Sequence, residues 1–151
     1  MEETENVSEI DIAFDGCDQV DSRLNAYKSA GGIHTREKII ARMAAEYVLL
    51  ADETKVTEEL GYDIPVVLEI IPEAREYIKK EIQKMGGTVR ERERHLLEVL
   101  FEGSPSLEAI DRKLKQMTGV VETSLFYQIA SKAVIAGENS VRIMKKAGGK
   151  E

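Results

Sequence analysis

Ile10-Asp11-Ile12-Ala13-Phe14-Asp15-Gly16 decides the reading of this chain. Apolar and polar residues alternate over 10–14, as a strand requires, and Asp15-Gly16 stops it. Downstream, Ile39, Ile40, Met43, Ala44 and Tyr47 recur at the spacing of one helix face, in a helix beginning at Thr35. The apolar run Tyr47-Val48-Leu49-Leu50-Ala51 then reads as a buried strand ending at Asp52. Strand, long connection with a helix, strand is the βαβ unit of a parallel sheet. The connection itself stays polar and small from Asp15 to about His34. Connections of that length inside a compact domain are uncommon and are usually functional or disordered.

Farther along, Pro65-Val66-Val67-Leu68-Glu69-Ile70 has the β-branched content of a strand. Pro72 suits a first helical turn, and Gly86-Gly87 supply the stop. Ala74, Ile78, Ile82 and Met85 mark the buried face between them. Val89–Glu93 and Leu96–Phe101 read as a hairpin, and Gly103-Ser104-Pro105 opens a helix striped by Leu107, Ile110, Leu114 and Met117. Val120 to Tyr127 and Ala133 to Ala136 have strand character, and Gly137-Glu138-Asn139 turns the chain before Val141. The stretch from about 65 to 130 is therefore β-α-β-β-α-β, the ferredoxin-like order. Arg90-Glu91-Arg92-Glu93-Arg94 would place Arg on one strand face and Glu on the other, and it reads as a solvated hairpin.

Lys and Arg total 21 against 28 Asp and Glu, a formal charge of −7, which argues against a general nucleic-acid binder. Hydrophobic residues at 42% are enough for a core, but aromatics at 5% leave it mostly aliphatic. The single Cys can form no internal disulfide and no zinc site alone. No apolar run approaches the ~18 residues that span a bilayer, and MEETENVSEI lacks the order of a signal peptide. The expectation is a cytoplasmic protein without membrane contact.

The chemistry concentrates in the connection after the first strand. Asp15, Asp18, Asp21, Lys28, Gly31, Gly32, His34 and Glu37 leave the carboxyl end of a strand, where open α/β sheets bind ligands. Glycines let backbone N–H groups approach an oxyanion. Carboxylates, a lysine and a glycine cradle together supply a base, a charge stabiliser and oxyanion donors for proton abstraction. Acidic loops and helix-start glutamates are also common in purely structural settings. His34 reads as a surface or helix-start residue. The Cys17 thiolate is disfavoured by the charges of Asp15 and Asp18.

Asp15-Gly16-Cys17-Asp18-Gln19-Val20-Asp21 resembles the D-G-A-D-E-V-D motif of type A ribose-5-phosphate isomerases. Thirteen residues after Asp15, Lys28 opens KSAGGIHTREK, which is similar to the family's K-G-G-G-G-A-L-T-R-E-K. Eighteen residues after Glu37, Lys55 in ADETK matches the D-[DE]-S-K segment. EIIPEAREYI and TGVVETSLF extend the resemblance nearly to the end. The resemblance implies interconversion of ribose 5-phosphate and ribulose 5-phosphate through an enediolate, with no metal and no organic cofactor. It makes Glu37 the base, gives Asp15 and Asp18 the sugar hydroxyls and proton traffic, and assigns the enediolate oxygen to Lys28 with the backbone of Ala30 and Gly31. Gly16, Cys17 and Ser29 line the same substrate site, and Lys55 matches a lysine near the phosphate, although it reads equally well as a loop lysine.

Departures accompany the match. Gln19 stands for the usual Glu, Ser29 and Ala30 for two glycines, and Cys17 and His34 for Ala and Leu. Nothing before Asp15 resembles the family's glycine-rich phosphate loop. The resemblance thus implies a divergent member in which a sugar phosphate is the ligand and the phosphate site is completed elsewhere. The expected fold is α/β: a flexible start at 1–8, a partial Rossmann-like parallel sheet from 9–64 with 132–151, and a ferredoxin-like lobe at 65–131. Strands near 10–14, 47–51 and 133–136 would leave Ile10, Ile12, Phe14, Val48 and Leu50 beside an open edge. That implies a homo-oligomer, or a hetero-complex with a chain supplying the amino-terminal half. The competing reading is a non-catalytic module that binds sugar phosphates or a protein partner.

Overall fold

A computed structural model describes residues 2–146; Met1 and residues 147–151, the latter expected with the sheet portion, lie outside the described residues. Three sheets organise the chain. The first joins β1 (Ile10–Gly16), β4 (Ala44–Asp52), β10 (Lys132–Ala136) and β11 (Val141–Lys145) in the order β1-β4-β10-β11. β1, β4 and β10 run parallel, with Phe14 opposite Val48 and Lys132 opposite Val48, whereas β11 returns antiparallel to β10. The sheet therefore has four strands where three were expected. The turn at 137–139 doubles the chain back, and Gly137 N–H donates to the Ser140 carbonyl at 2.7 Å.

Helix α1 (His34–Met43) connects β1 to β4, as the βαβ reading requires. Helix and strand meet without a linker, since Ala44 caps the one and begins the other. Tyr47, which continues the helical spacing, belongs to the strand and is buried against Phe126, with ring centroids 6.0 Å apart. One apolar residue satisfies both periodicities here, and the sheet claims it.

The long polar connection is not structureless. β2 (Gln19–Val20) and β3 (Ala26–Tyr27) pair antiparallel, and β3 pairs with β9 (Leu125–Phe126) in a second sheet. Asp21 holds the intervening turn: its carboxylate accepts from the N–H of Arg23 at 2.9 Å and of Asn25 at 3.0 Å. At the amino end, Thr4–Asn6 form one 3-10 turn.

The third sheet has the order β6-β7-β5-β8, from β5 (Val66–Ile70), β6 (Gly87–Glu93), β7 (Leu96–Phe101) and β8 (Val120–Thr123). With α2 (Arg75–Lys84) and α3 (Leu107–Gln116) inserted, it has the ferredoxin-like order. Ile78 and Ile82 of α2 and Ile110 and Leu114 of α3 pack on Val66, Leu68, Leu97 and Val99. Full burial of each such side chain contributes about 1.5–3 kcal/mol. Tyr27 and Leu60 join this cluster, while Phe126 and Ala130 pack with Cys17, Leu49 and Ala133 in another.

The expected single strand from Val120 to Tyr127 is two strands in different sheets. Ser124 makes the division. It is fully buried, its N–H donates to the Val67 carbonyl at 2.8 Å, and its own carbonyl accepts from Lys28 N–H at 2.9 Å. One residue thus ties the antiparallel sheet to the loop after β1. Among the described residues no helix is long and apolar enough to cross a membrane.

Candidate active site

Lys28 stands one residue beyond β3, just before the cradle, and its side chain is almost wholly buried. Its Nζ lies 3.1 Å from Asp15 Oδ2, at the end of β1, and 3.0 Å from Glu37 Oε2, in the first turn of α1. It also donates to the Gly16 carbonyl. Strand end, loop and helix start thus bring one ammonium against two carboxylates. The Phe126 ring lies 6.0 Å from this ammonium, a cation–π contact.

Tyr47 adds a fourth group, which motif reading did not pick out. Its hydroxyl donates to Asp15 Oδ2 at 3.1 Å, and its phenol is raised far above the ordinary range by burial, then by the Asp15 charge. It therefore serves as a fixed donor. Burial raises the Glu37 carboxyl above its ordinary 4.5; Lys28 pulls it back, and the neighbouring Asp15 charge raises it further. A carboxylate raised in this way is a stronger base than one in water, as proton abstraction from a carbon acid needs.

Asp18 acts on the cradle, where its Oδ2 accepts the Ala30 N–H at 2.8 Å. Ser29 is buried and turned away from the carboxylates: Oγ donates to the Pro65 carbonyl at 2.8 Å and lies 3.0 Å from Ser124 Oγ. Its side chain anchors the loop to the Pro65 carbonyl and to Ser124. Gly16 and Gly31 are exposed beside the cluster, and Cys17 is buried. The Cys17 thiol is pushed up to about 11 chiefly by burial; the Asp15 and Asp18 charges are its smallest contributions. The expectation of a disfavoured thiolate is right, but its main cause is desolvation.

Lys55 ends a 3-10 turn (Glu53–Lys55) just after β4. Among the described residues it makes no ion pair with the Asp15–Lys28–Glu37 group, though its positive charge is felt at Cys17. His34 begins α1 as one of the two readings had it, but it is fully buried, with Nε2 3.0 Å from the Glu122 carbonyl and a lowered pKa caused by that burial. Arg92, read as part of a solvated hairpin, reaches the cradle and donates to the carbonyls of Ser29 and Ala30. Nothing in the local alternation of charge signals that contact.

Fold and site together define an α/β protein with a carboxylate–lysine centre at the end of a parallel strand, suited to moving a proton on a carbon acid. The family model for ribose 5-phosphate isomerase A (phosphoriboisomerase A) matches residues 1–140, and the chain belongs to that family. Ribose-5-phosphate isomerase A 1 of Oceanobacillus iheyensis is 34% identical over 150 residues, covering 91% of this chain and 66% of that protein. The Thermosynechococcus vestitus enzyme is 30% identical over 147 residues, covering 89% and 62%. The chain thus spans somewhat less than two thirds of the length of these relatives. Among solved structures, ribose 5-phosphate isomerase A from Neisseria gonorrhoeae superposes with a TM-score of 0.87 at 25% identity, covering 94% of this chain and 67% of that one. A D-ribose-5-phosphate isomerase in complex with phospho-erythronic acid gives 0.84 at 27% identity, covering 93% and 67%.

Proposed function

We propose that this chain interconverts ribose 5-phosphate and ribulose 5-phosphate, with Glu37 as the base. The observation that carries the reading is the ammonium of Lys28 set 3.0 Å from Glu37 and 3.1 Å from Asp15 in a largely buried cluster. In the open-chain aldose, the Glu37 carboxylate takes the proton from C2. The electron pair of that C–H bond forms the C1–C2 double bond, and the carbonyl pair moves onto O1. Lys28 and the cradle N–H groups hold the negative oxygen. The Glu37 carboxyl then returns its proton to C1, and the O2 hydroxyl proton passes to O1, leaving the ketone at C2. Asp15, oriented by Tyr47, and Asp18 hold the hydroxyls through which that second proton moves. Gly16, Cys17, Ser29, Ala30 and Gly31 shape the sugar site, and Lys55 approaches the phosphate. No metal or organic cofactor enters this scheme.

The reading takes residues 9–64 with 132–151, of which 147–151 lie outside the described residues, as the sheet portion and 65–131 as the ferredoxin-like lobe, in a cytoplasmic enzyme. Phe14 and Ile143 are 59% and 61% exposed, and Ile12, Leu50 and Val141 accompany them on one face of the parallel sheet. Val48, expected beside the open edge, is buried in the middle of that face between Phe14 and Lys132. Apolar sheet faces of this kind are normally covered. The reading therefore includes assembly through this face, as a homo-oligomer or in a hetero-complex. Turnover of ribose 5-phosphate to ribulose 5-phosphate by the purified protein, alone and with any co-purifying chain, tests the activity. No ketose above the protein-free control in either preparation would overturn it.

A further inference from the structure

Arg92 projects from β6 and ends on the loop that follows Lys28. Its Nη1 donates to the Ser29 carbonyl at 2.6 Å and its Nη2 to the Ala30 carbonyl. A trans peptide points its C=O and N–H in opposite directions. Both carbonyls face Arg92, so the N–H groups of Ala30 and Gly31 face away from it. The first of these donates to Asp18 Oδ2 at 2.8 Å, which identifies that direction as the side of Asp18. The second, on Gly31, has no acceptor among the described residues. Successive N–H groups turned to one side make a concavity for an anion.

Gly32 shows how closely this loop rests on the hairpin. Its φ is +71°, and a Cβ there would stand 3.0 Å from Leu96 Cδ1 and 3.5 Å from Arg92 Nη2. Any other residue there would be strained in its backbone and crowded against Leu96. The planar guanidinium bridges two neighbouring carbonyls, a geometry that a lysine ammonium does not reproduce.

We propose that Arg92 is a positioning residue, which turns the Ala30–Gly31 peptide so that the Gly31 N–H meets the oxygen that becomes negative in the enediolate. This rests on the isomerase reading and adds to it the group that sets the oxyanion donor. Loss of an oxyanion donor costs about 10²–10³ in kcat. Arg92→Ala should therefore lower kcat by about 10² with KM changed by less than about threefold, because the affected contact strengthens only in the transition state. Arg92→Lys should recover only a small part of that loss. Arg90→Ala on the same strand, where Arg90 pairs with Glu98, should leave kcat unchanged.

The same variants are titrated with phospho-erythronic acid while the Gly31 amide is followed by ¹⁵N NMR. The wild-type resonance should shift on binding, and the Arg92→Ala resonance should not. Should Arg92→Ala fail to fold, Arg92→Lys supplies both readouts. A kcat within threefold of wild type in the folded variant, or an equal Gly31 shift in both proteins, would overturn the proposal. A wild-type protein without turnover would remove the isomerase reading, and the Gly31 shift would still decide whether Arg92 sets the peptide.

Discussion

Two buried lysines flank the ring of Phe126, Lys28 at 6.0 Å and Lys38 at 4.9 Å from its centroid, and each is paired with a glutamate. The glutamates nevertheless shift in opposite directions. Burial raises Glu37, and Lys28 does not fully offset it because Asp15 shares the same ammonium. Burial also works to raise Glu122, but there Lys38, the Thr123 N–H and Lys115 outweigh it and leave the carboxyl below its ordinary value. Glu37 shares its one lysine with Asp15, whereas Glu122 is met by both Lys38 and Lys115 and by the Thr123 N–H, although Lys115 also lies 3.9 Å from Asp111. The partners that touch each glutamate thus decide which one readily holds a proton and which holds its charge. Lys38 completes the contrast by donating to Glu122, the Thr123 carbonyl and the Leu125 carbonyl, tying α1 to β8 and β9.

The largest effect should follow Glu37→Gln. General acid–base catalysis contributes about 10²–10⁴-fold, so kcat should fall by about that factor while calorimetry shows ligand binding retained. Retained turnover would erase the distinction between the two glutamates. Lys38→Met should act on stability, costing about 3–5 kcal/mol in a denaturant titration by leaving Glu122 buried without its main partner. A loss under 1 kcal/mol would show the pair to be dispensable. Glu122 also predicts an acid limit to stability. Its depressed value gives a contribution fully present above about pH 4.5 and lost as pH falls through that lower value. Glu37 acts oppositely, since the native state holds its proton over a window in which the unfolded chain has lost it, so its contribution declines as pH rises through that window. Tyr47→Phe removes one donor to Asp15 and should cost about 0.5–1.5 kcal/mol of stability by thermal melting, the smallest change of the set.

Much of this contrast is written in local spacing. Ile78 with Ile82, and Ile110 with Leu114, recur at helical intervals and are buried as that interval requires. Lys28 and Glu37 are separated by a loop and one helical turn, so their meeting follows from a short path. Tyr47 and Arg92 reach the site from other elements, and only the fold shows where they end. Ser124 is hidden for a different reason. Glu122-Thr123-Ser124 interrupts the apolar run from Val120 to Phe126, but three polar residues do not by themselves say that the strands on either side belong to different sheets. β11 offers only the short alternation Val141-Arg142-Ile143, whose apolar residues lie on an exposed face, so too little of it separates a strand from a tail.

The central claim is that Glu37, raised by burial and held by Lys28, is the proton-transfer base. The pH dependence of solvent deuterium entry at C2 of ribose 5-phosphate, read by proton NMR, tests it most directly. The acid limb of the wild-type profile should lie above the ordinary glutamate value of 4.5. Lys28→Met should move it higher, because the lysine is what lowers Glu37. Exchange in Glu37→Gln at the wild-type rate, or an acid limb that Lys28→Met leaves in place, would contradict the account.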